Sequence, residues 1–135
     1  MFIWMIILAA IFLSQLRNQW PVKGLQYISA IELRKMKNST TLKIIDVRDA
    51  SDFYEDHCTD AINIYVGRLP FVWSNHIREG DTIVLLGTDH RSINKSARIL
   101  NKKAGIKSIY AAFYQNINDP KINKRIIWLY TKHSA

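Results

Sequence analysis

"LKIIDVRDASDFYEDHCTDAINIYV", residues 42–66, decides the fold. It opens on a short apolar, β-branched run that ends in the charges Asp46 and Arg48. Such a run predicts a strand buried on both faces, with functional groups at its carboxyl edge. The acidic "DASDFYEDH" then predicts one or two helical turns, and "AINIYV" a second strand. Strand, short helix and strand in succession point to parallel pairing, because a parallel partner needs a crossover.

The same alternation continues outward. "RLPFVWSNHIREG" predicts a helix closed by Gly80, with Leu69, Val72, Trp73 and Ile77 on its apolar face. "DTIVLL" (81–86) is the clearest strand. A helix from Ser92 carries Ile93, Ala97 and Leu100 and stops at Gly105, and "IKSIYAAF" supplies a fourth strand. Upstream, Ser29 and Glu32 stand at capping-box spacing and start a helix near Ala30. Beyond Pro120, Ile122, Ile126, Leu129 and Tyr130 share one face of an amphipathic helix whose other face carries Lys121, Lys124 and Arg125. The expected class is α/β, an open parallel sheet flanked by helices.

The N-terminus differs. "MFIWMIILAAIFL" (1–13) has no charge, Gly or Pro, and the first basic residue is Arg17. Counted on to the interfacial Trp20, the run approaches the ~20 residues that span a bilayer. A signal peptide would want a basic start and a small-residue cleavage site, both missing here, and a core helix would want a polar face. The expectation is one transmembrane anchor over 1–20, in contact with lipid. A linker follows over 21–28, then an α/β domain over 29–118 and a basic helix and tail over 119–135. Arg17 and Lys23 precede the first acid, Glu32, so positive-inside counting places the domain on the cytoplasmic side of a single-pass protein.

Net charge is +8 and uneven. Residues 46–60 hold six acids against Arg48, whereas residues 90–135 hold ten Lys or Arg against Asp119. In a tethered protein that basic half suits an anionic lipid surface, with solvated helix faces as the alternative. Aromatic and basic residues do not interleave as a stacking platform needs, so nucleic acid is not an expected partner. His57, His76, His90 and His133 with one cysteine show no metal-ligand spacing, and neither metal nor cofactor is expected. The single Cys58 excludes an intramolecular disulfide.

Residues 46–64 resemble the rhodanese-like family's D-V-R-x-x-x-E-[FY]-x-x-G-H-I-x-G-A-x-N-I without a gap. Asp46, Val47, Arg48, Phe53, His57, Ala61, Asn63 and Ile64 coincide, and Asp52 stands for the usual Glu. Two family glycines are Asp56 and Asp60 here, and Asp tolerates left-handed backbone better than most residues. The family's late Gly-Gly falls near Tyr114 and Gln115.

The resemblance implies a rhodanese-like sheet and, in the family's sulfurtransferases, a loop C-x-x-G-x-R-S whose cysteine carries a persulfide. Here "GTDHRS" (87–92) keeps Arg91 and Ser92, but the nucleophile's place falls on Leu86 or Gly87, and no thiolate is available. Cys58 is a poor replacement, since Asp56 and Asp60 oppose a thiolate beside them. Asp46 and Arg48 are expected to tie the strand end to neighbouring loops, with a functional role as the alternative. His57 is expected to be a structural hydrogen-bonder, and Asn63 is a further motif residue. The expected function is a catalytically inactive, membrane-anchored binding or regulatory module. Gly87, Thr88, Asp89, His90, Arg91 and Ser92 would offer a protein partner or an anion a helix N-terminus, with Arg91 as charged arm and Ser92 as cap donor. The alternatives are a divergent thiosulfate or persulfide sulfurtransferase using Cys58 or a partner's thiol, and a peripheral membrane scaffold.

Overall fold

The computed structural model describes residues 1–106 and 108–117. In chain order the helices are α1 (Phe2–Gln19), α2 (Ala30–Met36), α3 (Ala50–Glu55), α4 (Leu69–Val72), α5 (His90–Lys103) and α6 (Tyr114–Ile117). The strands are β1 (Leu25–Tyr27), β2 (Leu42–Asp46), β3 (Ala61–Asn63), β4 (Thr82–Gly87) and β5 (Ile109–Phe113), and a 3₁₀ turn at Trp73–Asn75 follows α4. All pairings are parallel, in the order β1-β5-β4-β2-β3, which puts β4 at the centre.

Alternation along β4 builds two cores. Ile83 and Leu85 face one side, with Ile45, Ile93, Ala97 and Leu100. Val84 and Leu86 face the other, with Ile44, Leu33, Cys58 and Ile117. Ile93, Ala97 and Leu100 lie on the buried face of α5, as their spacing predicts, and α4 buries Leu69 while Ile77 closes the same layer. Ser29 and Glu32 form the predicted capping box of α2. Asp60 stands in the left-handed region at φ 69°, whereas Asp56 is extended and unstrained. Gly105, at φ 66°, follows the last turn of α5.

Two expectations are corrected. The linker over 21–28 holds a fifth strand, since β1 pairs with β5 from Leu25↔Ile109 to Tyr27↔Ala111. Three residues carry too little pattern to reveal it, and backbone hydrogen bonding defines it. The transmembrane helix over 1–20 is also corrected: no helix among the described residues is long and apolar enough to cross a membrane. Polar Ser14, Gln15 and Arg17 cut the apolar part of α1 to Phe2–Leu13. That is about 18 Å of helix, against a core of about 30 Å. The amphipathic helix expected over 121–130 lies outside the described residues.

Candidate functional site

In an open parallel sheet the chemistry gathers beyond the carboxyl ends of the strands. At the end of β2, Asp46 is wholly buried and accepts from Arg48 Nε (3.0 and 3.1 Å), Arg48 Nη2 (2.7 Å) and the Arg48 backbone N–H (3.1 Å). Arg48 Nη2 also donates to the Asp56 carbonyl at 2.9 Å, and the guanidinium lies 3.4 Å from the centre of the Tyr114 ring. Two opposite charges survive burial here because their hydrogen-bonding capacity is used. Burial works against the Arg48 charge, yet the bonds to Asp46 outweigh it and raise the pKa. Burial and a hydrogen bond to Asp56 push the Tyr114 phenol up to about 12.

Asn63 Nδ2 donates to the carbonyls of Asp46 (3.1 Å) and Arg48 (3.0 Å), fastening β3 to the exit of β2. His57 Nδ1 donates to the Phe53 carbonyl at 2.9 Å, and its ring stacks on Phe53 with centroids 4.1 Å apart. The structure thus joins Asp46, Arg48 and Asn63 in one network and sets His57 apart, at the end of α3. Tyr114 and Asp56 complete that network, and the seat of Arg48 on Tyr114 joins segments far apart in sequence, so no local pattern reports it.

The β4–α5 connection is short: only Thr88 and Asp89 separate the two elements. The Leu86 side chain is fully buried in the core on the α2 side. At Gly87, a Cβ would meet Ile93 Cγ1 at 2.9 Å and Val47 Cγ2 at 3.4 Å. Under either alignment, the room a nucleophile would need is filled. Asp89 caps α5, accepting from the Ser92 N–H (2.8 Å) and the Ser92 hydroxyl (3.1 Å). The donors expected to hold an anion therefore face the chain's own carboxylate. An Asp three residues before Ser is a cap signal in its own right, and it moves the helix start from Ser92 to His90. Thr88, Asp89, His90 and Arg91 remain exposed.

Beside this loop stands a group that pattern could not reveal. The Tyr27 hydroxyl and His90 Nδ1 are 2.8 Å apart, Phe113 stacks on Tyr27 at 5.4 Å, and His90 meets Phe113 edge-on at 4.8 Å. Burial, then the charge of Asp89, raises the Tyr27 pKa. Cys58, 7% exposed, lines a small cavity of about 200 Å³ with Arg34, Lys37 and His57. Among the described residues no cluster of three or more His, Cys, Asp or Glu could hold a metal ion.

Comparison with known proteins agrees with this architecture. No curated protein matches the chain. Among solved structures, an EanB variant in complex with hercynine superposes with a TM-score of 0.59 at 21% identity, over 72% of this chain and 26% of that one. The Alr3790 protein from Anabaena sp. gives 0.57 at 17% identity, over 73% and 77% of the two chains. A rhodanese-related protein from Thermoplasma volcanium gives 0.52 at 15%, over 74% and 92%. These likenesses establish the fold alone, and the chain spans only about a quarter of EanB. The rhodanese-like domain model matches residues 29–117. With two thirds of its length under that match and a central β4 feeding α5 as the motif requires, the chain belongs to the rhodanese-like domain family.

Proposed function

We propose that this rhodanese-like domain carries no persulfide on its β4–α5 loop and works as a binding or regulatory module held at a membrane surface on the cytoplasmic side. One observation carries the first half. Leu86 is buried in the core and Gly87 is closed off by Ile93, so neither nucleophile position is open. The exposed Thr88, Asp89, His90 and Arg91 form the surface offered to a partner, with Arg91 as its charged arm. Attachment rests on α1, whose apolar side chains are exposed from Phe2 to Leu13.

The test is thiosulfate loading of the full chain, read by intact mass. A cysteine thiolate attacks the sulfane sulfur, forms a persulfide and releases sulfite. No added sulfur is the expected result. A gain of one sulfur that Cys58→Ser abolishes would overturn the inactive reading. It would favour a relocated sulfurtransferase, for which Arg34 and Lys37 in the Cys58 cavity are the supporting observation, with Asp56 in the same lining opposing them. Unchanged partner capture from membranes by Arg91→Ala would remove Arg91 from the binding surface.

A further inference from the structure

A cavity of about 640 Å³ opens where α1 meets the domain, lined by Gln15, Val22, Leu25, Tyr27, Arg91 and Asn94, among others. Asn94 is 7% exposed and lines this cavity, which leaves its amide open to the cavity space. An amide that opens into a cavity can donate to an acceptor placed there. Arg91 stands one turn away on the same helix and brings the charge. Asp89, held by the Ser92 N–H and hydroxyl, keeps its charge and opposes an anion here, so the guanidinium of Arg91 has to outweigh it.

The surroundings identify the ligand. α1 is fastened at its base: Arg98 Nη2 donates to the carbonyls of Arg17 and Trp20, both at 2.8 Å, and Asn101 reaches the Lys23 carbonyl. Above that base Phe2, Ile3, Trp4, Met5 and Ile6 are exposed at successive positions, so every side of the helix is apolar. A protein partner would cover one face and leave the rest in water, and a second copy would do the same. An acyl environment covers all sides at once. The apolar length of about 18 Å matches one leaflet, about half of the 30 Å core. Arg17 and Lys23 lie at the base and Arg91 lines the cavity beside it, where headgroups would lie. The acidic α3 joins β2 and β3 at the opposite edge of the sheet from β1.

We propose that α1 sits in one leaflet and that the junction cavity holds the phosphate of an anionic phospholipid, with Arg91 as its counter-charge and the Asn94 amide as its hydrogen-bond donor. This rests on the membrane attachment proposed above and names the lipid chemistry that completes it.

The experiment is flotation of the full chain on vesicles of phosphatidylcholine, with and without phosphatidylglycerol. Retention on both is expected, with binding to the anionic vesicles stronger by about fivefold or more. Asn94→Leu, which changes no charge, should lose most of that gain and keep retention on neutral vesicles. Arg91→Ala should lose more of it than Lys95→Ala, which removes an equal charge outside the cavity. Equal losses for Arg91→Ala and Lys95→Ala, with none for Asn94→Leu, would overturn the headgroup site and leave attachment standing. Loss of the gain on adding inorganic phosphate would make it a free-phosphate site and overturn the lipid assignment. Failure to float on either vesicle, or a dimer through α1 in place of flotation, would overturn both.

Discussion

Replacing Asp46 with Leu tests whether the Asp46–Arg48 pair is a structural pin. The carboxylate is fully buried, and it accepts from the Arg48 side chain at 2.7, 3.0 and 3.1 Å. Removing it leaves a guanidinium that is 8% exposed, with the Asp56 carbonyl and the Tyr114 ring as its remaining partners. An exposed pair would be worth about 0–1 kcal/mol, whereas breaking a buried one costs about 3–5 kcal/mol. Burial decides for the larger figure, and the slight exposure of Arg48 sets it near the lower end, about 3 kcal/mol. With a urea slope of about 2 kcal/mol/M for a domain of this size, the midpoint should fall by about 1.5 M. The assay is urea unfolding of the full chain in a non-ionic detergent, followed by near-ultraviolet circular dichroism. Asp46→Leu with Arg48→Met removes both charges and should restore at least about half of the loss. A midpoint shift below about 0.5 M, or a double variant that equals the sum of the singles, would refute the reasoning.

Three further outcomes follow from the same geometry. Gly87→Cys should lower stability by about 1–3 kcal/mol and take up no sulfur from thiosulfate, because Ile93 occupies the space; adding Ile93→Ala should recover part of that stability, read by unfolding midpoint and intact mass. Asp60→Gly should raise Tm by about 4 °C, since glycine occupies the left-handed region without the cost of about 1 kcal/mol borne by other residues; an unchanged or lower Tm would mean that the Asp60 side chain compensates. Tyr114, whose pKa rises from 10.0 to about 12, favours the protonated folded state. Its contribution to stability is therefore whole below pH 10 and is lost as pH climbs toward 12, and Tyr114→Phe should flatten that part of the stability profile.

The strand at 42–46, the strand at 82–87 and the buried face of α5 were legible because a local period reports them. Unbroken β-branched runs and apolar residues at i, i+4 and i+7 state their environment without reference to the rest of the chain. The capping box of α2 and the glycine after α5 were legible for a similar reason, since each satisfies backbone groups within a few residues. The motif at 46–64 singled out Asp46, Arg48 and Asn63, which share one hydrogen-bond network, and the left-handed Asp60 agrees with its standing where the family has glycine.

Tertiary structure decided the rest. β1 exists because β5 offers a free edge, and three residues carry no period of their own. The Tyr27–His90 contact and the seat of Arg48 on Tyr114 join segments far apart in sequence, so only folding brings them together. The sequence showed that Leu86 and Gly87 lack a nucleophile, but not that Ile93 fills the space beside Gly87 or that Asp89 occupies the donors at the start of α5. Composition likewise marked residues 1–13 as apolar, whereas the fastening of the helix base by Arg98 came only with the fold. Local chemistry is written residue by residue; what fills a space is settled by whatever the fold packs against it.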